Sequence, residues 1–310
     1  MTTRSDTIIA HLTDIHYPSR VGLGLSEFSF KRLLGFLNWH LSRKKLHLKK
    51  TLDEISEDVL RQELDHLIVS GDLVNWSLKA EYKQGLKWLK QFGSFEDISF
   101  VPGNHDYYGA NPVLSADDKE GGLSPYMTSN SQGFELGGDA GPHLPFVRVI
   151  NDVALIFLNS GVPTPLFKAY GEVNRKSLEV LVDILTQAKM QDLYRCVILH
   201  HPPLSGITSP SRGLNNDHEL QTLLENYGAE LVLYGHNHKQ RHDKLSTKTG
   251  TCHVIGTPSA SVGRHGRYEL ARYNIFHIQR KSNSWITQMD GRGLLEDYGP
   301  VVDLEDRLLV

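Results

Sequence analysis

The chain has 310 residues, 39% of them apolar and 22% charged, with a net charge of −3 at pH 7. That balance suits a soluble globular chain long enough for one large α/β domain, and it excludes the strong positive excess of a general nucleic-acid binder. No stretch approaches the eighteen apolar residues of a membrane span, and the opening MTTRSDTIIAHLT lacks the apolar core of a secretory signal, so the expected location is the cytoplasm.

Taken in chain order, apolar and β-branched runs at 7–13, 67–70, 98–101, 153–159, 196–200, 231–234 and 252–255 predict strands. They are continuous where a half-exposed strand would alternate, as in sheets buried on both faces. Helical periodicity at 48–64, 78–92, 174–190 and 217–227 falls between them, which predicts layered α/β architecture with helices outside. Near the end, RYNIFHIQR (272–280) and SWITQM (284–289) read as strands joined by the polar turn KSN, predicting a second, more antiparallel sheet there. Cys196 and Cys252 sit far apart in β-like runs with no C-x-x-C spacing and read as core residues.

Two segments break the alternation within what otherwise reads as a single domain over 1–310. Residues 107–145 are glycine-rich and aperiodic, the pattern of a functional loop or a disordered one. Residues 27–50 form a basic aromatic insertion, with Phe30, Leu33, Leu34, Leu37 and Leu41 at helical spacing, Phe36 and Trp39 off that stripe, and no acidic residue between Lys31 and Lys50. Two readings stay open for it: an amphipathic helix packed on its own domain, or one touching anionic lipid at the inner membrane through residues 28–50.

The strand ends carry the chemistry. TDIH brings Asp14 and His16, SGDLVN brings Asp72, PGNHD brings Asn104, His105 and Asp106, VILHHPP brings His200 and His201, and LVLYGHNH brings His236 and His238. In open α/β sheets, ligands bind at the carboxyl ends of strands. Oxygen and nitrogen donors without sulfur suit Mn, Fe, Zn or Co better than a structural thiolate zinc site, and the set is too large for one ion. The one-residue spacing in Asp14/His16 and His236/His238 points both side chains the same way along an extended segment. Singly, each piece has a bland reading: a histidine satisfied in the core, an aspartate capping a turn, Gly103–Asn104 as a turn dipeptide. Those readings do not explain five such pieces in one chain. His11, His66, His143, His218 and His253, outside the set, read as structural or solvated.

The ordered set D-x-H, G-D-x-x-N, G-N-H-D, a histidine ending a strand, and G-H-x-H resembles that of the calcineurin-like metallophosphoesterases. The resemblance is to their bacterial branch of cyclic-nucleotide and glycerophosphodiester phosphodiesterases, and it covers roughly residues 7–260. It implies a four-layer α/β/β/α sandwich, two central mixed sheets flanked by helices, around two divalent ions about 3.5 Å apart. It also implies that Asp14, His16 and His238 hold the first ion, that Asn104, His200 and His236 hold the second, and that Asp72 bridges them. His105 is similar to the family's histidine that assists the leaving group, and Asp106 to the residue that orients it. Asn75 stands where the family shows Asp or Asn. In HHPP, His200 is the expected ligand because it terminates the strand, with His201 behind it.

Two close cations lower the pKa of a bound water from 15.7 to about 7 in a favourable site. The hydroxide so formed attacks phosphorus, with Asn104 among the groups that neutralise the equatorial oxygens, and no nucleophilic side chain is needed. The absence of a G-x-S-x-G sequence agrees. The substrate expected is a small phosphodiester such as a cyclic nucleotide. The alternatives are a lipid-linked nucleotide such as UDP-2,3-diacylglucosamine, cleaved at its pyrophosphate, or no substrate at all in a non-catalytic scaffold, against which the intact ligand set argues. No arginine pair placed to clamp a phosphorylated residue is evident in the sequence.

Overall fold

The computed structural model describes residues 6–19, 32, 33, 35, 43–108, 122–130, 145–282 and 284–309. Among them, strands β1 (Asp6–Leu12), β2 (His66–Val69) and β3 (Ile98–Phe100) share a six-stranded sheet with β10 (Arg272–Lys281), β11 (Ser284–Leu294) and β12 (Val301–Leu309). Its order is β12-β11-β10-β1-β2-β3. A second six-stranded sheet runs β4-β5-β6-β7-β9-β8, from β4 (Phe146–Ile150), β5 (Val153–Phe157), β6 (Tyr194–Ile198), β7 (Leu231–Tyr234), β8 (Arg241–Thr247) and β9 (Gly250–Gly256). Both are mixed: β1, β2 and β3 are parallel, as are β5, β6, β7 and β9, while β10, β11 and β12 of the first sheet and β4 and β8 of the second pair antiparallel.

Alternate side chains of each central strand enter different cores, which is why the strands read as unbroken apolar runs. From β1, Ile8, Ala10 and Leu12 pack outward against α1 (Lys49–Leu60) and α2 (Lys79–Leu89), while Ile9 enters the core between the sheets with Phe157, Ile198 and Leu233. The second sheet sends Ala154, Ile156 and Val197 outward to α3 (Arg175–Met190) and α4 (Asp217–Tyr227). The result is four layers, α/β/β/α, and each fully buried Leu, Ile or Phe contributes about 1.5–3 kcal/mol. The helices bury one stripe each, such as Leu52, Ile55 and Val59 of α1. Asn174 caps α3 by accepting from Ser177 N, and α4 stops at Gly228, whose φ of 77° favours glycine.

The expected C-terminal antiparallel sheet is not separate. β10 pairs with β1 from Asp6↔Gln279 to His11↔Asn274 and so extends the first sheet. The reason lies in β10, whose Tyr273 and Ile275 face the helix side while Phe276 and Ile278 face the inter-sheet core, the two-sided burial of an interior strand. Most of the predicted insertion at 27–50, including Phe36 and Trp39, and most of the loop at 107–145 lie outside the described residues. Within the insertion, Arg32 donates to the carbonyls of Trp76 and Ser77 at 3.1 Å each.

Asp58 ties α1 to the first sheet. Its Oδ2 accepts from Tyr273 Oη at 2.6 Å and Arg292 Nε at 2.7 Å, and its Oδ1 accepts from Arg292 Nη2 at 3.0 Å and Arg61 Nη2 at 3.2 Å. Burial favours the protonated carboxyl, but Arg292, Tyr273 and Arg61 outweigh it and hold the pKa below its ordinary value. A carboxyl depressed in the folded state adds stability above its unfolded pKa of about 3.9, and that stability is lost as pH falls through the folded value. Asp58→Asn therefore lowers unfolding stability at pH 7 by about 1–3 kcal/mol, and the gap to wild type closes below about pH 4. Urea unfolding across pH checks this; a gap independent of pH contradicts it.

Candidate dinuclear metal centre

The carboxyl ends of β1, β2 and β3 from one sheet and of β6 and β7 from the other meet at one place. Just beyond them stand Asp14, His16, Asp72, Asn104, His200, His236 and His238, all buried. Five of the eleven described non-glycine residues with positive φ are in this group: Asp14 at 51°, His16 at 42°, Asp72 at 52°, His236 at 66° and His238 at 51°. The one-residue spacing thus converges the side chains through left-handed turns, not through the extended backbone the sequence suggested. Such backbone costs of order 1–3 kcal/mol per residue and concentrates at functional sites. Glycines permit the close approach: a Cβ on Gly71 would lie 2.6 Å from both Gly103 N and His200 Nδ1, and one on Gly235 would collide with Thr13 and Asp14.

Asp14 is held on three sides. Its Oδ2 accepts from Thr13 Oγ1 at 2.9 Å and His236 N at 2.8 Å, and its carbonyl accepts from Ser259 Oγ at 2.6 Å. Oδ1 faces His238 Nε2 at 2.9 Å and His16 Nε2 at 3.7 Å. Asp72 accepts from His105 N through Oδ1 at 2.7 Å, and its Oδ2 lies 3.6 Å from His16 Nε2 and 3.5 Å from His200 Nε2. Asp72 accordingly belongs to two groups of convergent donor atoms, one with His16 and His105 and one with Asp14 and His200.

The donor set fits two cations. Asn104 Oδ1, His200 Nε2 and His236 Nε2 are buried with no hydrogen-bond partner among the described residues, a costly state for polar atoms unless a ligand satisfies them. His200 donates Nδ1–H to the Ser70 carbonyl at 2.8 Å, which aims Nε2 at Asp72. His201 does not share that position: its Nδ1 contacts Ser160 Oγ at 2.9 Å, and its ring stands behind His236 at 4.6 Å. The pKa pattern agrees. Against burial, His238 and the neighbouring histidines hold the Asp14 carboxyl well below the usual range, and His200 and His105 lower Asp72. Burial, then His201 and His200, push His236 far down and keep it neutral, the ligating form. Burial lowers His200 too, but Asp72 and Asp14 outweigh it and raise the imidazole to about 9, so a cation arriving there displaces a proton.

His105 lines the cleft with Nδ1 2.7 Å from the Asn75 carbonyl. The orienting contact expected from Asp106 is made by Asn75 instead. The Asp106 carboxylate accepts from Gly103 N at 2.8 Å and from Leu73 N and Val74 N at 3.3 Å each, clamping the loops that carry Asp72 and Asn104. Burial, then the Asp72 charge, push Asp106 up to about 7. Beneath Asn75, buried Glu81 on α2 accepts from the backbone N–H groups of Asn75, Trp76 and Leu78 at 3.2, 2.9 and 3.1 Å.

Four residues at the site were not legible in the motifs. His47, fixed by a bridge to Val262 and a 2.8 Å contact to Ser261 Oγ, sets its ring 4.6 Å from His16, and its donor atom groups with those of His16 and His238. Tyr268, Arg212 and Arg267 line the cleft, which holds about 150 Å³. A lone histidine in LHLKK and arginines in polar loops give no local signal; only tertiary pairing brings them in.

A profile of the calcineurin-like phosphoesterases matches residues 7–240. The chain belongs to the calcineurin-like phosphoesterase family. Metallophosphoesterases of this kind are hydrolases of phosphoric esters, and relatives carry such names. Glycerophosphodiester phosphodiesterase GpdQ of Enterobacter lignolyticus (strain SCF1) is 23% identical over 292 residues, covering 90% of this chain and 89% of that protein. Two uncharacterized metallophosphoesterases of Helicobacter pylori are 40% identical over 68 residues and 24% identical over 192 residues. Those matches span 18% and 40% of the two proteins' own lengths. Among solved structures, a dimetal phosphatase from Danio rerio superposes with a TM-score of 0.63 at 14% identity, covering 96% of this chain and 98% of that one. The purple acid phosphatase PPD1 of yellow lupin gives 0.58 at 12% identity over 98% of this chain and 53% of its own. At those identities the likeness is one of fold, and it agrees with the four layers described above.

If Asp72 is common to both cation positions, Asp72→Ala loses both metal equivalents from protein purified with Mn²⁺, while His105→Ala keeps them. Elemental analysis reads this directly. Two retained equivalents in the Asp72 variant contradict the bridge, and equal loss in both variants makes His105 a ligand.

Proposed function

We propose that this chain hydrolyses a small phosphodiester, with Asp14, His16, Asp72 and His238 holding one divalent cation and Asp72, Asn104, His200 and His236 a second. The observation that carries the reading is the pair of convergent donor groups that share Asp72, one with Asp14 and His200 and one with His16 and His105, in a cleft also lined by Asn104 and His236, whose Oδ1 and Nε2 are buried without a partner among the described residues. Bound there, such cations would supply positive charge to the phosphoryl oxygens and acidify an attacking water. Mn, Fe, Zn and Co all suit this oxygen and nitrogen donor set.

His105 is the proton carrier in this reading. With Nδ1 committed to the Asn75 carbonyl, Nε2 is the nitrogen that exchanges a proton with a departing oxygen, and the pinned ring holds that atom at the cleft. Asp106 acts at one remove, since it fixes the backbone of the loops bearing Asp72 and Asn104. The similarity to a glycerophosphodiester phosphodiesterase over 90% of the chain supports a diester substrate, of the glycerophosphodiester or cyclic-nucleotide kind. The lipid-linked alternative rests on residues 28–50, whose Phe36 and Trp39 lie outside the described residues, and no contact among the described residues favours it.

Mn²⁺-loaded protein is expected to hydrolyse bis-p-nitrophenyl phosphate and to stop when EDTA is added. His105→Ala should lower turnover by about 10²–10⁴-fold on a diester with a poor leaving group such as cyclic AMP, and much less on the nitrophenyl ester, whose leaving group needs no proton. Equal losses on the two substrates would remove His105 from the proton-transfer role, and no turnover of any diester would sink the reading.

A further inference from the structure

Two guanidinium groups share the cleft with the candidate metal ligands. Arg212 is half-buried, in the loop following His201, and lines the cleft together with His236. Its backbone is pinned, because Ala169 N donates to Ser211 O at 3.0 Å and Gly171 N to Gly213 O at 3.0 Å. Arg267 reaches the cleft from the segment between β9 and β10. Its Cζ lies 4.9 Å from the centre of the Tyr268 ring, and that ring lies 4.3 Å from the ring of His238. Ligand, tyrosine and guanidinium thus form one column, which holds Arg267 beside the site although its side chain is exposed.

Neither arginine pairs with a carboxylate among the described residues. Glu269, two residues from Arg267, accepts from the backbone N–H of Gln240, and Asp297 pairs with Arg264 and His265. An unpaired guanidinium is well suited to phosphate, which it binds through parallel N–H donors. Two cations held by Asp14 and Asp72 would already outweigh the single negative charge of a diester. Two arginines more in the same small cleft match a substrate with additional negative charge close to the scissile bond. Space for the remainder exists too, since Arg267 and Tyr268 also border an adjoining groove of about 480 Å³ that is lined partly by Pro258, Leu270 and Leu294.

We propose that Arg212 and Arg267 form an anion subsite that selects phosphodiesters bearing a second phosphate group. This rests on the phosphodiesterase reading above and narrows its substrate class. The second phosphate sits between the two guanidinium groups while the scissile one sits against Asn104 and His105, and the organic part of the substrate extends into the groove beyond Tyr268.

A matched pair of substrates tests it: the p-nitrophenyl ester of thymidine 3′-phosphate, with and without a 5′-phosphate. They share a leaving group, so the ratio of their kcat/KM values reports the second phosphate alone. Wild-type protein loaded with Mn²⁺ should prefer the 5′-phosphorylated ester by about tenfold or more, the size of one charge-assisted contact. The ratio should fall in Arg212→Gln and in Arg267→Gln, reach about one in the double variant, and recover in part in Arg267→Lys. Thermal unfolding of each variant separates this from a loss of fold, which would move both substrates together. An unchanged ratio in the double variant overturns the subsite, as does an equal loss on both substrates, which would place the arginines on the scissile phosphate. Isothermal titration of the Mn²⁺-loaded protein with thymidine 3′-phosphate and thymidine 3′,5′-bisphosphate reads the subsite without turnover. Tighter binding of the bisphosphate that vanishes in the double variant upholds the subsite even if neither ester is cleaved, and equal binding by wild type overturns it.

Discussion

The carboxylate of Asp72 is the constraint on which the rest of the site depends. It projects from the end of β2 and faces imidazoles from both sheets, His16 from the first and His200 from the second, while its other oxygen accepts the His105 backbone N–H. Two buried carboxylates, Asp14 and Asp72, form no ion pair with an arginine or lysine among the described residues, and an uncompensated buried charge is expensive. The histidines compensate in part. The donors of Asn104, His200 and His236 find no partner among the described residues, and a pair of cations bound there would answer both shortfalls at once.

Much of the fold exists to hold that arrangement. Two sheets are needed because one alone presents candidate ligands from only one set of strand ends; facing them across a shared core lets β1, β2 and β3 bring Asp14, Asp72 and Asn104 to the place where β6 and β7 bring His200 and His236. The left-handed residues at 14, 16, 72, 236 and 238 are local strain that the surrounding packing sustains. Around them, buried groups with no role toward substrate fix the loops: Glu81 gathers the 75–78 backbone, and Asp106 gathers that of Leu73, Val74 and Gly103. The His105 ring is consequently positioned through α2 by way of the Asn75 carbonyl, a dependence that a list of ligands would not reveal.

What was legible in the sequence follows from burial. Interior strands pack on both faces and so announce themselves as apolar runs, and the donors after them stood out because five strand ends carried them in order. The strands that escaped notice, β4, β8 and β12, are all sheet edges. An edge strand needs no two-sided apolar run: β8 reads RHDKLST and buries only Leu245. The candidate ligands were readable as residues while their backbone was not, because left-handed turns at aspartate and histidine have no compositional mark. Asp106 appeared beside His105 in GNHD, yet chain adjacency proved a poor guide to contact, since its carboxylate turns toward backbone amides. His47, Arg212 and Arg267 depend wholly on tertiary pairing, His47 through its bridge to Val262 and Arg212 through the strand-like clasp of Gly171 and Leu214.

The central claim is that one carboxylate serves two cations. Anomalous diffraction from crystals grown with Mn²⁺, recorded on both sides of the manganese absorption edge, addresses it most directly. Two peaks are predicted, one among Asp14, His16 and His238 and the other among Asn104, His200 and His236, with the Asp72 carboxylate touching both. A single peak, or two peaks of which only one contacts Asp72, would contradict it.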